Sequence, residues 1–577
     1  FQITPTTATK IYDHFGARSV DILRDNPFEL CQVSGFGFKR VDAIMRKNNW
    51  PLNSPMRIRG AVFAALESAK GDGGHLYLEA EQLHKEAMSL LNSMIPVPQM
   101  RVKSDDLDAV IDDMLLQGKI INSNGNYYLV KAFAQEDETA RSIARLLCRP
   151  VERVDVQDLL TRVRRQLGVE LSLRQTEAVH MVFRSDLSII TGSPGTGKTT
   201  VLKAVIEVFK LLKPSEKILL AAPTGRASRR MAESTGVDNA STLHSLLGLY
   251  GEDGGFRKGE EDMLDAGLII VDESSMMDMW LARKFFSRIG PDTKVLLVGD
   301  ADQLQSVGAG DVFRELINCG LIPVTVLNEI FRQKKDSLIA YNAQKINNND
   351  TSFFYGNDFT VCKCANQEEA AEHIRNIYLA QVKQYGVDRV QILSPFRSTG
   401  AASADQLNEA IRELVNPQTE EADLKVDNHY FRIGDKVMQN RNSGKASNGD
   451  IGFIRGFRHD ERDGMRIAIQ FSPTRVVEYS MEEMGHVELA YATTVHKAQG
   501  SEFDVVIFPL LRSHARMLTR SLVYTAITRA KAKVILVGQI GMLYMAVHKD
   551  DTGKRNTQLG RRIALYVNTF KVQKRSA

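Results

Sequence analysis

Cysteine is scarce. Cys31, Cys148, Cys319, Cys362 and Cys364 are the only five among 577 residues. An odd, scattered set excludes a disulfide framework and fits a reducing compartment. Cys362-Lys363-Cys364 has no further Cys/His cluster near it in the chain, so structural thiols are expected there rather than a metal site. Long apolar runs are missing too. None is long enough to span a bilayer, and no signal peptide is visible in the sequence. The chain begins at Phe1 rather than Met, as a fragment or processed piece would. A dominant charge is absent: 74 basic and 70 acidic residues leave a net +4, which by itself announces no polyanionic partner. The local exception is 554–575, with seven Lys/Arg and no acid. Such a tail is as well suited to solvent as to phosphate.

What is present is a glycine-rich loop in a strand–loop–helix context. Gly192-Ser193-Pro194-Gly195-Thr196-Gly197-Lys198-Thr199, then Thr200, follows the β-branched run 187–190 and precedes helical apolar spacing over 201–212. This is the context a phosphate-binding P-loop needs. Glycines let backbone N–H groups turn inward around phosphates. Lys198 is placed for the β and γ phosphates, and the Thr199 hydroxyl for Mg²⁺. The helix N-terminus adds a favourable dipole.

The rest of the chain is organised around that loop. Residues 1–50 are short helices broken by glycine, with a Gly-x-Gly turn at 35–37 and a second turn near 3–7. Such turns can hold a DNA phosphate without reading sequence, or simply close a plain helical hairpin. Residues 51–150 carry helices at about 57–69, 79–92, 104–117 and 135–147, with a hairpin signal over 119–130. That pattern predicts a winged-helix-like module, expected to pack against other domains rather than read DNA, since its third helix is not basic.

From about 151, strands and helices alternate as in a parallel sheet. Gln175 opens a helix before the P-loop, and its amide can both donate to and accept from an adenine edge. Pro223, Thr224, Gly225 and Arg226 follow the strand 218–222, and strand ends in such sheets face the ligand crevice. Thr242 and His244 follow the next strand. The stretch 248–262 is polar and glycine-rich and reads as a small projecting insertion. Asp272-Glu273 ends a buried strand, the place for a Mg²⁺ ligand followed by a carboxylate that polarises water. Gln303 follows another strand, as a sensor of the γ phosphate. Arg332 lies beyond it as a free positive charge. The second half repeats the alternation without a P-loop. It offers Ser394 and Pro395, a small β-barrel over 424–487 that includes Asn448, strand order resuming over 487–492, the stretch 493–502 with Thr494, Val495 and His496, and Arg529 in the last motif.

In this order the motifs resemble those of a superfamily 1 helicase, of the stand-alone RecD-like branch of superfamily 1B. The resemblance implies an α/β fold: two RecA-like parallel-sheet lobes, an inserted SH3-like barrel, and an N-terminal helix-hairpin-helix plus winged-helix-like region. The implied division is 1–50, 51–150, lobe 1 at 151–335 with a pin at about 246–262, and lobe 2 at 336–577 with the barrel at about 424–487. It implies ATP between the lobes, with 192–200 and Gln175 binding it, and Mg²⁺ on Thr199 and Asp272. Lys198, Glu273, Gln303, Arg332 and Arg529 would carry catalysis. Pro223, Thr224, Gly225, Arg226, Thr242, His244, Ser394, Pro395, Asn448, Thr494, Val495 and His496 would grip DNA. Also implied are 5′-to-3′ movement on single-stranded DNA, action at duplex/single-strand junctions, a role in repair or recombination, a monomer, and a cytoplasmic, nucleoid-associated, bacterial-type setting without membrane contact. Rival readings are a subunit of a larger repair nuclease, a DNA-stimulated P-loop ATPase that does not unwind, and a DNA adaptor with a dead nucleotide site. The sequence Asp272-Glu273-Ser274-Ser275 favours the RecD-like branch over other helicase groups. No nuclease-type metal cluster is visible, so no strand cleavage is expected.

Overall fold

The β-branched runs set between helices form the strands of two parallel sheets. The computed structural model describes residues 5–33, 36–150, 154–237, 239–250, 255–256, 262–329, 337–418, 423–426, 429–460, 464–550 and 555–576. The first sheet runs, in spatial order, Val324–Leu327, Leu187–Gly192, Lys294–Gly299, Leu268–Val271, Ile218–Ala222 and Ala240–Thr242, every neighbouring pair parallel. Leu187–Gly192 and Leu268–Val271 are buried along their whole length. Strands covered on both faces read as continuous apolar runs rather than alternating ones. The order sets the P-loop strand beside the strand ending at Gly299, and one further from the strand that leads into Asp272. Their carboxyl ends therefore open on one crevice.

The second sheet has Phe359–Lys363, Ala530–Gly538, Phe503–Leu510, Val390–Ser394 and Ala492–Thr494, again all parallel. Between its last two members in that order the chain departs to form an antiparallel sheet. This comprises Arg475–Ser480, Gly464–Ser472, Ile451–Asp460, Lys436–Gln439 and Val487–Leu489, closed over Val437, Ile454, Ile467 and Tyr479.

One boundary differs from expectation. The run 487–492 is not a single strand of the parallel sheet. Val487–Leu489 pairs with Lys436–Gln439 in the barrel, and Ala492–Thr494 pairs with Val390–Ser394. Tyr491 makes the break: it is buried, its hydroxyl donates to Asp435 at 3.1 Å and it accepts the Lys436 N–H at 3.3 Å. Apolar pattern alone cannot show that one run serves two sheets.

The N-terminal part contains helices Pro5–Phe15, Ser19–Asp25 and Phe38–Lys47. Pro55–Gly73, Tyr77–Glu79, Ala80–Asn92, Ser104–Leu116 and the hairpin Ile120–Ser123/Asn126–Leu129 come next. Asn124 and Gly125 turn the hairpin at φ 57° and 83°, the left-handed pair that Asn-Gly favours. Ile3 and Gly35 lie outside the described residues. The helix expected at 135–147 begins earlier, as Val130–Leu147. Of the projecting insertion, Leu249–Tyr250 and Gly255–Phe256 pair antiparallel, and 251–254 and 257–261 lie outside the described residues.

The basic tail is docked at Arg555 and Arg562 and exposed at Arg561, Lys571 and Lys574. It forms the helix Leu559–Ser576, docked on Val130–Leu147. Arg562 pairs with buried Glu136 at 3.1 Å and lies 4.3 Å over the Phe133 ring. Lys574 donates to the Cys148 carbonyl. Arg555 donates to the carbonyls of Gly308 and Gly310 at 2.8 and 2.7 Å. The C-terminus thus straps the N-terminal module to the first lobe, and Leu559, Ile563 and Val567 join their common core. Cys364 is buried and its thiol is pushed up to about 11 by burial, while Cys362 lies 3.1 Å from the Nδ1 of His373. Among the described residues no helix is long and apolar enough to cross a membrane.

Candidate nucleotide site and nucleic-acid groove

Gly195 and Gly197 adopt φ of 86° and 84°, a region glycine enters without steric cost. The turn they make delivers the chain into the helix Lys198–Leu212. At Gly192 a side chain would stand 2.5 Å from the Leu327 carbonyl, so this position also needs glycine for packing. The Lys198 ammonium donates to the carbonyls of Gly192 and Ser193, and the Thr196 hydroxyl donates to Ser193 at 2.8 Å. Gln175 is buried. Its amide donates to the Thr196 carbonyl at 3.1 Å and accepts the Ser172 N–H at 3.0 Å. The residue expected on an adenine edge thus braces the P-loop, with both ends of its amide engaged.

Pro194, Gly195, Gly197, Lys198, Thr199 and Thr200 open on a cavity of about 540 Å³ whose far wall is the second lobe. Asp272, Glu273 and Gln303 line it from the first lobe, and Glu502, Arg529 and Lys531 from the second. Burial, then the neighbouring Glu273 charge, push the Asp272 carboxyl up to about 6, against the pull of the Glu273 N–H and Lys198. Glu273 holds φ 50°. A non-glycine residue there costs on the order of 1 kcal/mol and such strain gathers at functional sites. The Arg529 guanidinium is buried and comes within 4.0 Å of the Glu273 carboxylate. Its Nη1 donates to the Ser501 carbonyl at 3.3 Å, and its Nε has no partner among the described residues. Arg332 lies outside them.

The donor set fits Mg²⁺. A threonine hydroxyl and a buried carboxylate are hard oxygen ligands of the kind that ion takes. Two adjacent carboxylates in a buried wall are the charge a divalent cation relieves.

The two lobes are hydrogen-bonded through the Gln303 loop. Gln303 donates to Asp300 at 3.1 Å, and the buried Tyr524 of the second lobe donates to the same carboxylate oxygen at 2.8 Å. The Leu304 N–H donates to the Thr525 hydroxyl at 2.9 Å, and Gln499 donates to the Leu304 carbonyl at 3.0 Å. Tyr524→Phe removes one donor from a buried carboxylate, a loss of about 1–3 kcal/mol confined to the link between lobes. Base pairs opened per ATP hydrolysed should fall in this variant. A wild-type ratio would remove Tyr524 from the coupling path.

A second cavity, of about 940 Å³, lies between the first lobe and the barrel. Arg229, Arg441, Lys445, Arg475, His244 and His486 line it, and among the described residues no carboxylate does. The described lining is therefore basic. Of the residues named for DNA contact, Gly225, Thr242, His244 and Asn448 line this cavity. Thr242 caps the turn Leu243–Leu246, and His244 stacks on Trp280 at 6.0 Å, its pKa lowered by burial. Thr224 caps the helix Gly225–Thr235 by accepting the Ala227 N–H, next to half-buried Pro223.

Several expected contacts are corrected. Arg226 does not reach into the groove. It donates to the Glu502 carbonyl at 3.2 Å and stacks 4.7 Å over Phe503, an interlobe strut whose pKa burial pushes down to about 10. Ser394 is fully buried and its hydroxyl donates to the Ala402 carbonyl. Pro395 and Val495 are buried as well. A strand end brings these residues near the crevice, but packing turns the side chains inward. Thr494 accepts the Lys497 N–H at 3.4 Å. His496 lines a separate cavity of about 220 Å³ with Gln305 and Arg555. Sequence reasoning missed Arg229 and Arg475 in the groove and Arg230 and Lys531 at the nucleotide cavity. A helical signal was available for two of them, since the i,i+4 rule puts Arg229 on the face of Gly225 and Arg230 on that of Arg226.

Comparison with known families fits this geometry part by part. Residues 1–77 match the family model of the ATP-dependent RecD2 DNA helicase HHH domain, and 407–471 that of the ATP-dependent RecD-like DNA helicase SH3 domain. Residues 175–309 match an AAA domain, and 489–537 a UvrD-like helicase C-terminal domain. The ATP-dependent RecD2 DNA helicase of Deinococcus radiodurans is 31% identical over 97% of this chain and 76% of its own length. The chain belongs to the RecD2 helicase family. The RecBCD enzyme subunit RecD of Mycolicibacterium smegmatis is 28% identical over 65% of the chain and 72% of its own length. A crystal structure of Pif1 helicase from Candida albicans aligns with 70% of the chain and 99% of its own, at 18% identity and a TM-score of 0.43. For this RecD2-family helicase the two cavities thus have distinct chemistry. One is the P-loop cavity walled by both lobes, and the other is a basic groove beside the barrel.

Proposed function

We propose that the protein hydrolyses ATP between its lobes to move 5′-to-3′ along single-stranded DNA, opening duplex at a junction in DNA repair or recombination. The observation that carries this reading is Arg529. It belongs to one lobe, yet stands 4.0 Å from Glu273 of the other, in the cavity above Lys198. Closing the lobes on a triphosphate would bring that guanidinium to the charge that develops in phosphoryl transfer. Glu273 would hold the proton of the attacking water, and Lys198 would shift from its loop carbonyls to the phosphates. Mg²⁺ on Thr199 and Asp272 would neutralise phosphate charge. The hydrogen bonds from Gln303 through Asp300 to Tyr524 would carry opening and closing to the groove. The protein is proposed to act as a monomer near the bacterial nucleoid.

Two partial duplexes test direction, one with a 5′ single-stranded tail and one with a 3′ tail. Unwinding of the first with Mg²⁺ and ATP, and none of the second, is expected. The opposite preference refutes the direction. DNA-stimulated hydrolysis without unwinding of either substrate selects the non-unwinding ATPase.

A further inference from the structure

The basic groove has a built centre that the expected contacts do not include. Asp450 is fully buried at the start of the barrel strand Ile451–Asp460. Its carboxylate accepts both terminal nitrogens of Arg229 from the first lobe, one at 3.0 Å. It accepts Arg475 of the barrel at 3.1 Å and the Ser447 N–H at 3.1 Å. The carboxylate is 0% exposed, whereas the Arg229 and Arg475 side chains are 41% and 30% exposed. The acid therefore lies beneath and the guanidiniums above, both on the wall of the groove. Arg475 is held further by the Lys445 carbonyl, which accepts from it at 2.5 Å, and by the Phe471 ring at 5.1 Å. The seam is tight: a side chain on Gly225 would stand 2.2 Å from the Ser447 Cβ.

We propose that Arg229 and Arg475 form a single seat for a backbone phosphate of the translocating strand, across the seam between lobe and barrel, with Asp450 as the positioning residue that sets their spacing. The proposal rests on the reading that this protein moves along single-stranded DNA. Each guanidinium has five N–H donors in a fixed fork. Bonds to Asp450 use only some of them and leave the remainder for phosphate oxygens. A guanidinium already held by protein loses little freedom when it binds. The two arginines come from separate bodies, so the seat is complete only while the seam is closed. A phosphate in it keeps the barrel down over the strand.

The test uses the full chain, a fluorescein-labelled oligo(dT) and a sodium chloride series. Arg229→Gln and Arg475→Gln should each flatten the slope of log affinity against log salt by about 0.7, one phosphate contact on a single strand. The DNA concentration for half-maximal ATPase should rise about tenfold, with turnover at saturating DNA changed by less than about twofold. Asp450→Asn separates positioning from simple charge. Removing a negative charge beside DNA ought to tighten binding by Coulomb attraction alone, whereas loss of the seat weakens it about tenfold. Tighter binding by Asp450→Asn overturns the proposal, as do unchanged salt slopes in both arginine variants with wild-type melting temperatures. Should Asp450→Asn fail to fold, the arginine variants decide, because each leaves the carboxylate paired with the other guanidinium. A wild-type ATPase indifferent to DNA would sink the translocase reading itself. Stimulation with unaltered slopes would sink the seat alone.

Discussion

Arg529→Ala should lower DNA-stimulated ATP turnover by about a thousandfold, the scale of an arginine that reaches transition-state charge from a second body. Three features set that size. The guanidinium is buried beside Glu273 and the P-loop cavity, where its charge is weakly screened. It comes from the last motif of the second lobe, so its arrival depends on lobe closure. Its Nη1 is already oriented by the Ser501 carbonyl, so little reorganisation precedes the chemical step. Arg529→Lys should recover little of the loss, because an ammonium lacks the planar fork and the same reach. Steady-state phosphate release at saturating DNA measures the effect, and binding of a fluorescent ATP analogue should stay within about threefold of wild type, since Arg529 acts on the transition state rather than on ground-state binding. A loss below about tenfold would place transition-state stabilisation elsewhere.

How far the sequence foretold this site depends on what each residue touches. The gathering of Lys198, Thr199, Asp272 and Glu273 on one cavity was legible because each position depends on chain neighbours: a glycine turn into a helix, and an acid pair at a strand end. The parallel sheets were legible from buried β-branched runs, and the hairpin from Asn124-Gly125. Residues whose role depends on distant partners were not. Ser394 sits at the right strand end, yet its hydroxyl is taken by Ala402. Arg226 follows the right strand, but Phe503 and Glu502, far along the chain, draw it into the interlobe contact. Asp450 is one carboxylate in a turn until the fold lays Arg229 and Arg475 on it. The split of 487–492 had no local signal either, since both halves have strand character and the partners that hold the junction, Asp435 on Tyr491 and Asn408 on Leu489 and Ala492, are distant in the chain.

Lys198→Ala is expected to abolish hydrolysis, a fall of about a thousandfold or more, while leaving single-stranded DNA binding within about threefold of wild type. In the structure its ammonium rests on the Gly192 and Ser193 carbonyls, so its loss removes an anchor of the loop as well as the charge meant for the phosphates. The loop keeps other supports: Thr196 still donates to Ser193 and Gln175 to Thr196, so the fold should survive with a melting temperature close to that of the parent. The groove arginines lie on a separate cavity with their own carboxylate partner, which is why DNA affinity should persist when turnover is lost. That separation makes the variant decisive. Loss of both activities would mean that the P-loop shapes the groove, and loss of turnover alone would mean that nucleotide and strand meet only through movement of the lobes. If Lys198→Ala still unwound a tailed duplex with ATP, the energy would have to enter through some other site, and the sandwich of Lys198 beneath Arg529 would not be the engine.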